Sequence, residues 1–268
     1  MSLSATGRPQ HGGVPLSIAG TGRLRPARRA SWVLLIAAGA WVVVVWPLGG
    51  MGAMPGTMGL GFWSFLGVWT LMMGAMMLPS VSPLAALYVR GFTAARRGRV
   101  SALLVGYLVV WAAVGVPAYA LAWFADRVVA GHAISAAAFA VALFVACGVY
   151  QLTPLKDLCL ARCRSPVGFL MRYSAYRGST RDFRVGLHNG LYCVACCWGL
   201  MALLVAFGVM NLGAMIALAA VVMIEKVWVH GVGFSRAVGV LSLSAAAAVV
   251  WVPQLAPGLV PASRMMGM

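Results

Sequence analysis

Five of the six cysteines fall in two short runs, Cys159 and Cys163 in YQLTPLKDLCLARCRSP and Cys193, Cys196 and Cys197 in LHNGLYCVACCWGLM. Residues three and four apart share a helix face, so Cys159 can join Cys163, and Cys193 can join Cys196 or Cys197. Cys196 and Cys197 are successive on the helix and cannot both point squarely at one ion. Thiolates are soft ligands that favour Cu(I) or Zn(II), and they are also the nucleophiles of disulfide exchange. A lone cysteine such as Cys147 reads as a small buried hydrophobe. Five gathered into two runs call for ligation or redox work.

A second soft constellation lies in VWTLMMGAMMLPSVSP, Val68 to Pro83, where Met72 pairs with Met76 and Met73 with Met77 at helical spacing. Thioethers select Cu(I) over hard cations. Met51, Met54 and Met58 precede them in a Gly-rich loop. The bland reading competes strongly here, because methionine fills apolar cores well and Gly74 and Ala75 suit close helix packing. Glu225 is the third candidate. A carboxylate inside an apolar helix faces a cation, a basic partner or a cavity. Lys226 is next to it but about 100° around the helix, free to snorkel while Glu225 faces inward. The four histidines are scattered without metalloenzyme spacing, and no P-loop or nucleophile elbow occurs.

These residues must be positioned by membrane helices. The chain is 62% hydrophobic and only 9% charged, with a mean hydropathy of +0.93. Continuous apolar runs of about 20 residues recur, each long enough to cross a hydrocarbon core of about 30 Å. Their continuity excludes an alternating barrel. The expectation is therefore an all-α, polytopic transmembrane bundle of six to seven helices over residues 31–255. A disordered basic tail precedes it over 1–30, and a short tail follows over 256–268.

The net charge of +16 belongs to loops between apolar runs, which is the positive-inside pattern rather than a nucleic-acid footprint. Seven crossings with the N-terminus in the cytoplasm leave only Arg127 and Arg264 outside. That orientation places both cysteine runs near the inner face of a bacterial cytoplasmic membrane, where disulfides are rare. Thr153 and Pro154 start a short helix after the fourth crossing. If that helix folds back along the membrane surface, Cys159, Cys163, Cys193, one of Cys196 or Cys197, and Glu225 converge at one depth. His188 also lies near this layer.

The run W-T-L-M-M-G-A-M-M-L-P-S-V-S-P, the C-L-x-x-C-R-S-P and C-V-A-C-C-W segments and the late Glu225-Lys226 pair together resemble a bacterial family. Its members are predicted metal-binding integral membrane proteins of unknown function. The four motifs occur in the family's order, from about Trp63 to His230. The resemblance implies metal binding by the same cysteine, methionine and glutamate residues, without naming an ion or a reaction.

The leading expectation is a protein that binds a soft metal, Cu(I) ahead of zinc, and transports it or delivers it to a partner. Cys159, Cys163, Cys193, Cys196, Cys197 and Glu225 form the inner site on this reading, with Met72, Met73, Met76 and Met77 as an approach from outside. Its partners are the lipid bilayer, a protein partner or metallochaperone, and further copies of itself. A membrane thiol-disulfide oxidoreductase using Cys193 and Cys196, with a quinone as acceptor, is the first alternative. A non-catalytic subunit supporting another protein is the second.

Overall fold

Each apolar run becomes a helix whose ends are set by local chemistry. The computed structural model describes residues 35–43, 56–57, 59–91, 96–131, 133–165, 168, 171 and 180–259. The basic tail over 1–30, Met51, Met54, Met58 and the chain after 259 lie outside them. Residues 35–43 are helical. The elements that follow are α1 (Phe62–Gly91), α2 (Arg96–Gly131), α3 (Ala133–Gln151), α4 (Pro154–Cys163), α5 (Arg181–Phe207), α6 (Leu212–Val227) and α7 (Gly231–Trp251). Two short 3₁₀ turns close the described chain. No strand occurs among the described residues, so the fold is an all-α bundle.

Four helices, α1, α2, α5 and α7, are long and apolar enough to cross a membrane. A fifth crossing is complete if α3 and α4, bent by 69° where they meet, count as one span. The chain is thus multi-pass. α6 is the exception to the expected series. Its 16 residues reach about 24 Å, short of a hydrocarbon core of about 30 Å.

Pro79 and Pro83 do not end α1, which continues through both to Gly91. Proline at position 83 cannot donate to the carbonyl of Pro79. The Ser82 hydroxyl takes that carbonyl instead, at 2.7 Å. A hydroxyl placed this way re-satisfies the backbone that proline frees inside a membrane helix. Ser80 also donates within the helix, to Met77 O at 2.8 Å.

α4 starts as the sequence predicts. Thr153 accepts from Lys156 N at 3.3 Å, and Pro154 occupies the first turn. Its own hydroxyl donates to Tyr150 O at 2.7 Å, which fixes the bend out of α3. At the other end of the bundle Gly208 adopts φ 93°, and Asn211 Oδ1 accepts from Ala214 N at 3.1 Å, turning α5 into α6. A residue with a side chain strains at that φ, so glycine is required there.

α5 is the central element, packing on α2, α3, α4 and α6. Its glycines decide how closely. A Cβ on Gly186 would sit 2.0 Å from Leu103 O, and one on Gly106 of α2 would sit 2.3 Å from Phe183 O. Gly186 and Gly190 are one helical turn apart, and Cys193 follows on the same face. Small residues let membrane helices approach backbone to backbone. This crossing is what brings Cys193 to α2. Gly186→Ala is therefore expected to lower stability by about 1–3 kcal/mol through overpacking, read as reduced thermal stability in detergent. A variant as stable as the parent would mean the crossing is loosely packed.

The same end carries the Arg99–Asp182 ion pair at 2.8 Å, joining the starts of α2 and α5. At the far end of α2, Asp126 accepts from Thr57 N at 2.9 Å and from Thr57 Oγ1 at 2.8 Å. Both ends of the bundle are thus tied by side chains.

Candidate metal centre

The fold-back of α4 brings its underside against α5. Cys163 Sγ meets Cys196 Sγ at 3.6 Å, the approach that the sequence made conditional on this bend. Cys196 also donates to Cys193 O at 3.1 Å. Cys196 is buried and Cys163 half-buried. All six cysteines are free thiols.

Cys193, one turn back on α5 beside Cys196, also reaches α2 and α6. Its sulfur lies 3.0 Å from Tyr107 Oη of α2 and accepts from Lys226 Nζ of α6 at 3.0 Å. Lys226 further donates to Ser80 Oγ of α1 at 3.2 Å. Tyr107 donates to Met77 O at 3.3 Å. Four helices therefore meet at one thiol, one amine and two hydroxyls. This corrects the expectation that Lys226 snorkels outward. Its stem is only half-buried, but its ammonium turns into the bundle.

The other thiols lie beside the pair and have partners of their own. Cys197 is fully buried and donates to Cys193 O at 2.9 Å, satisfying itself on its own helix. Cys159 is half-buried beside Tyr150. Tyr150 donates to Ala195 O and packs on Trp198 at 4.9 Å between centroids. Cys147 backs onto Gly199, the bland position expected of it. Met72, Met73, Met76 and Met77 are all buried in the core. His188 Nδ1 lies 2.8 Å from Arg184 O of its own helix.

Glu225 is buried as expected, and its compensating partner is a lysine. Lys156 Nζ of α4 donates to one carboxylate oxygen at 2.8 Å, and Gln151 Nε2 of α3 donates to the other at 2.7 Å. Both side chains of the ion pair are essentially without solvent contact, at 0% and 2%. Lys156 Nζ also donates to Cys196 O at 2.5 Å, and Ser235 of α7 donates to Gln151 Oε1 at 3.3 Å. The network links α3, α4, α5, α6 and α7, and it sits behind Cys196.

Among the described residues, no three His, Cys, Asp or Glu side chains form a group that could hold a metal ion. The structure brings together Cys163 with Cys196, and Cys193 with Lys226. It places Glu225 with Lys156. Sequence reasoning named the thiols and Glu225 but missed Lys156, Gln151, Tyr107 and Ser80. The signal for Lys156 was available: a carboxylate at membrane depth requires a cation, and the short helix after Pro154 carries one lysine.

The bundle and this buried cluster define a multi-pass helical membrane protein with thiols and lysines gathered at one end of its core. A family model described as PpoB2, copper chaperone, matches residues 66–249, more than half of the chain, and the chain belongs to that family. Membership is consistent with a metal-related family and with a copper-related role. No curated protein and no solved structure gives a significant match.

Proposed function

We propose that the chain holds Cu(I) between Cys163 and Cys196 within the membrane and hands it to a partner protein. The observation that carries this reading is the meeting of the two sulfurs at 3.6 Å, one from α4 and one from α5. Thiolates select Cu(I), and two of them suffice for a two-coordinate ion. Structural zinc sites take four ligands in a tetrahedron, which the absence of any three-residue group among the described residues does not favour. Copper-family membership supports the same choice of ion.

On this reading Cys193 is the next thiol inward, and Met72, Met73, Met76 and Met77 line an apolar approach through α1. Cys159 and Cys197 stand beside the pair. Glu225 acts by holding Lys156, which braces α4 against α5, and not by offering oxygen to the metal. The orientation follows charge: on seven crossings with the N-terminus in the cytoplasm, all but two of the 20 Lys and Arg residues fall on the cytoplasmic side of a bacterial inner membrane. The partner, a metallochaperone or a copper enzyme, would then reach the site from the side where α4 lies.

Purified protein titrated with Cu(I) without oxygen, beside a maleimide count of free thiols, tests the proposal. One Cu(I) per chain should protect two thiols, Cys163 and Cys196. Copper bound with no thiol protected, or no copper bound, would overturn it.

The same contact favours a second reading, a thiol-disulfide oxidoreductase. Cys193 is turned to Lys226 and Tyr107, so the exchanging pair would be Cys163 with Cys196 rather than Cys193 with Cys196. A mild oxidant that removes two thiols reversibly, in protein that takes up no copper, would select it.

A further inference from the structure

We propose that Lys226 determines which metals the thiol pair accepts, favouring a soft monovalent cation over a divalent one. The inference rests on the reading of Cys163 and Cys196 as ligands. It begins from the chain's inventory of negative charge. There are four Asp and Glu residues, and each is engaged elsewhere. Asp126 accepts from Thr57, Asp157 pairs with Arg236 at 2.9 Å, Asp182 with Arg99 and Glu225 with Lys156. None pairs with Lys226.

The Lys226 ammonium nevertheless points into the bundle, onto Cys193 Sγ at 3.0 Å and Ser80 Oγ at 3.2 Å. Cys196 lies one helical turn beyond Cys193 and donates to Cys193 O at 3.1 Å, so the ammonium stands beside the pair. The surrounding groups, Ser80, Tyr107 and the thiols, are neutral as long as the thiols keep their protons. An ammonium at this depth is costly unless an anion faces it. The geometry leaves sulfur as the source of that anion.

Charge bookkeeping then separates the ions. Binding breaks two S–H bonds, forms two metal–sulfur bonds and releases two protons to water. With Cu(I) or Ag(I) the product is a bis-thiolate complex of charge −1, which Lys226 neutralises. With Zn(II) the product is neutral, and the ammonium remains uncompensated beside it. In a site of low dielectric one unbalanced charge outweighs most differences in ligand preference. Lys156 cannot serve this purpose, because Glu225 already balances it.

The test uses Ag(I), a monovalent soft probe without redox chemistry, against Zn(II) on the full-length detergent-purified protein. The parent should prefer Ag(I) with two thiols protected. Lys226→Met should lower the Ag(I)/Zn(II) affinity ratio by roughly tenfold or more, and Lys226→Arg should keep it. Lys226→Gln is read the same way if the methionine variant does not fold. An unchanged ratio in a folded neutral variant that still protects two thiols would overturn the role of Lys226 and leave the copper site standing. A parent that binds no Ag(I) would overturn the site itself.

Discussion

Lys156→Met, with Glu225 left in place, is expected to destabilise the bundle by about 3–5 kcal/mol, the usual result of orphaning one member of a buried ion pair. The pair is out of contact with solvent, so the remaining carboxylate has no water to turn to. Gln151 would still donate to it at 2.7 Å, but an amide does not cancel a charge. The loss also frees the carbonyl of Cys196 from its lysine donor. Lys156→Met combined with Glu225→Leu should recover most of the stability, because an apolar pair of similar volume carries no desolvation penalty. Thermal unfolding in detergent over this double-mutant cycle gives the coupling directly. A single variant as stable as the parent would mean the pair does not brace α4. Glu225→Gln completes the set: it should lower stability and leave copper stoichiometry intact. Lost copper with unchanged stability would make Glu225 a ligand after all.

Cys163→Ser and Cys196→Ser are expected to abolish tight Cu(I) binding. Losing a supporting partner of a ligand typically costs about 10–100-fold in metal affinity, and losing one of only two ligands should exceed that range. A hydroxyl replaces the thiol in size but not in softness, and Cu(I) discriminates against oxygen. Cys197→Ser and Cys159→Ser provide the contrast. Cys197 is satisfied by Cys193 O, and Cys159 lies beside Tyr150, so both variants should bind within a few-fold of the parent. Competition against a coloured Cu(I) chelator measures all four. Equal losses across the four cysteines would replace a defined pair with a diffuse thiol pool.

The helices were legible because apolar runs of membrane length leave no other fold open to the backbone. The fold-back of α4 was legible in part, since Thr153 and Pro154 mark its start. What the sequence hides is the rotation of each helix. Periodicity places Cys193, Cys196 and Cys197 near one face of α5, but a few tens of degrees decide which sulfur meets Cys163. Lys226 shows the same limit. Adjacent to Glu225, it was expected to leave the bundle, yet α6 is only 16 residues long and its end lies against Ser80 and Cys193. A short helix at a crowded end gives its lysine an inward route that hydropathy cannot reveal. The serine that takes the freed carbonyl of Pro79, Ser82, was likewise invisible until the helix was seen to run on through both prolines.

X-ray absorption at the copper edge of the Cu(I)-loaded protein tests the thiol-pair site most directly. Sulfur alone should surround the metal, in low coordination number, and Cys163→Ser with Cys196→Ser should erase that signal. Copper surrounded by oxygen or nitrogen, or a sulfur signal that survives both substitutions, would contradict a site built from Cys163 and Cys196.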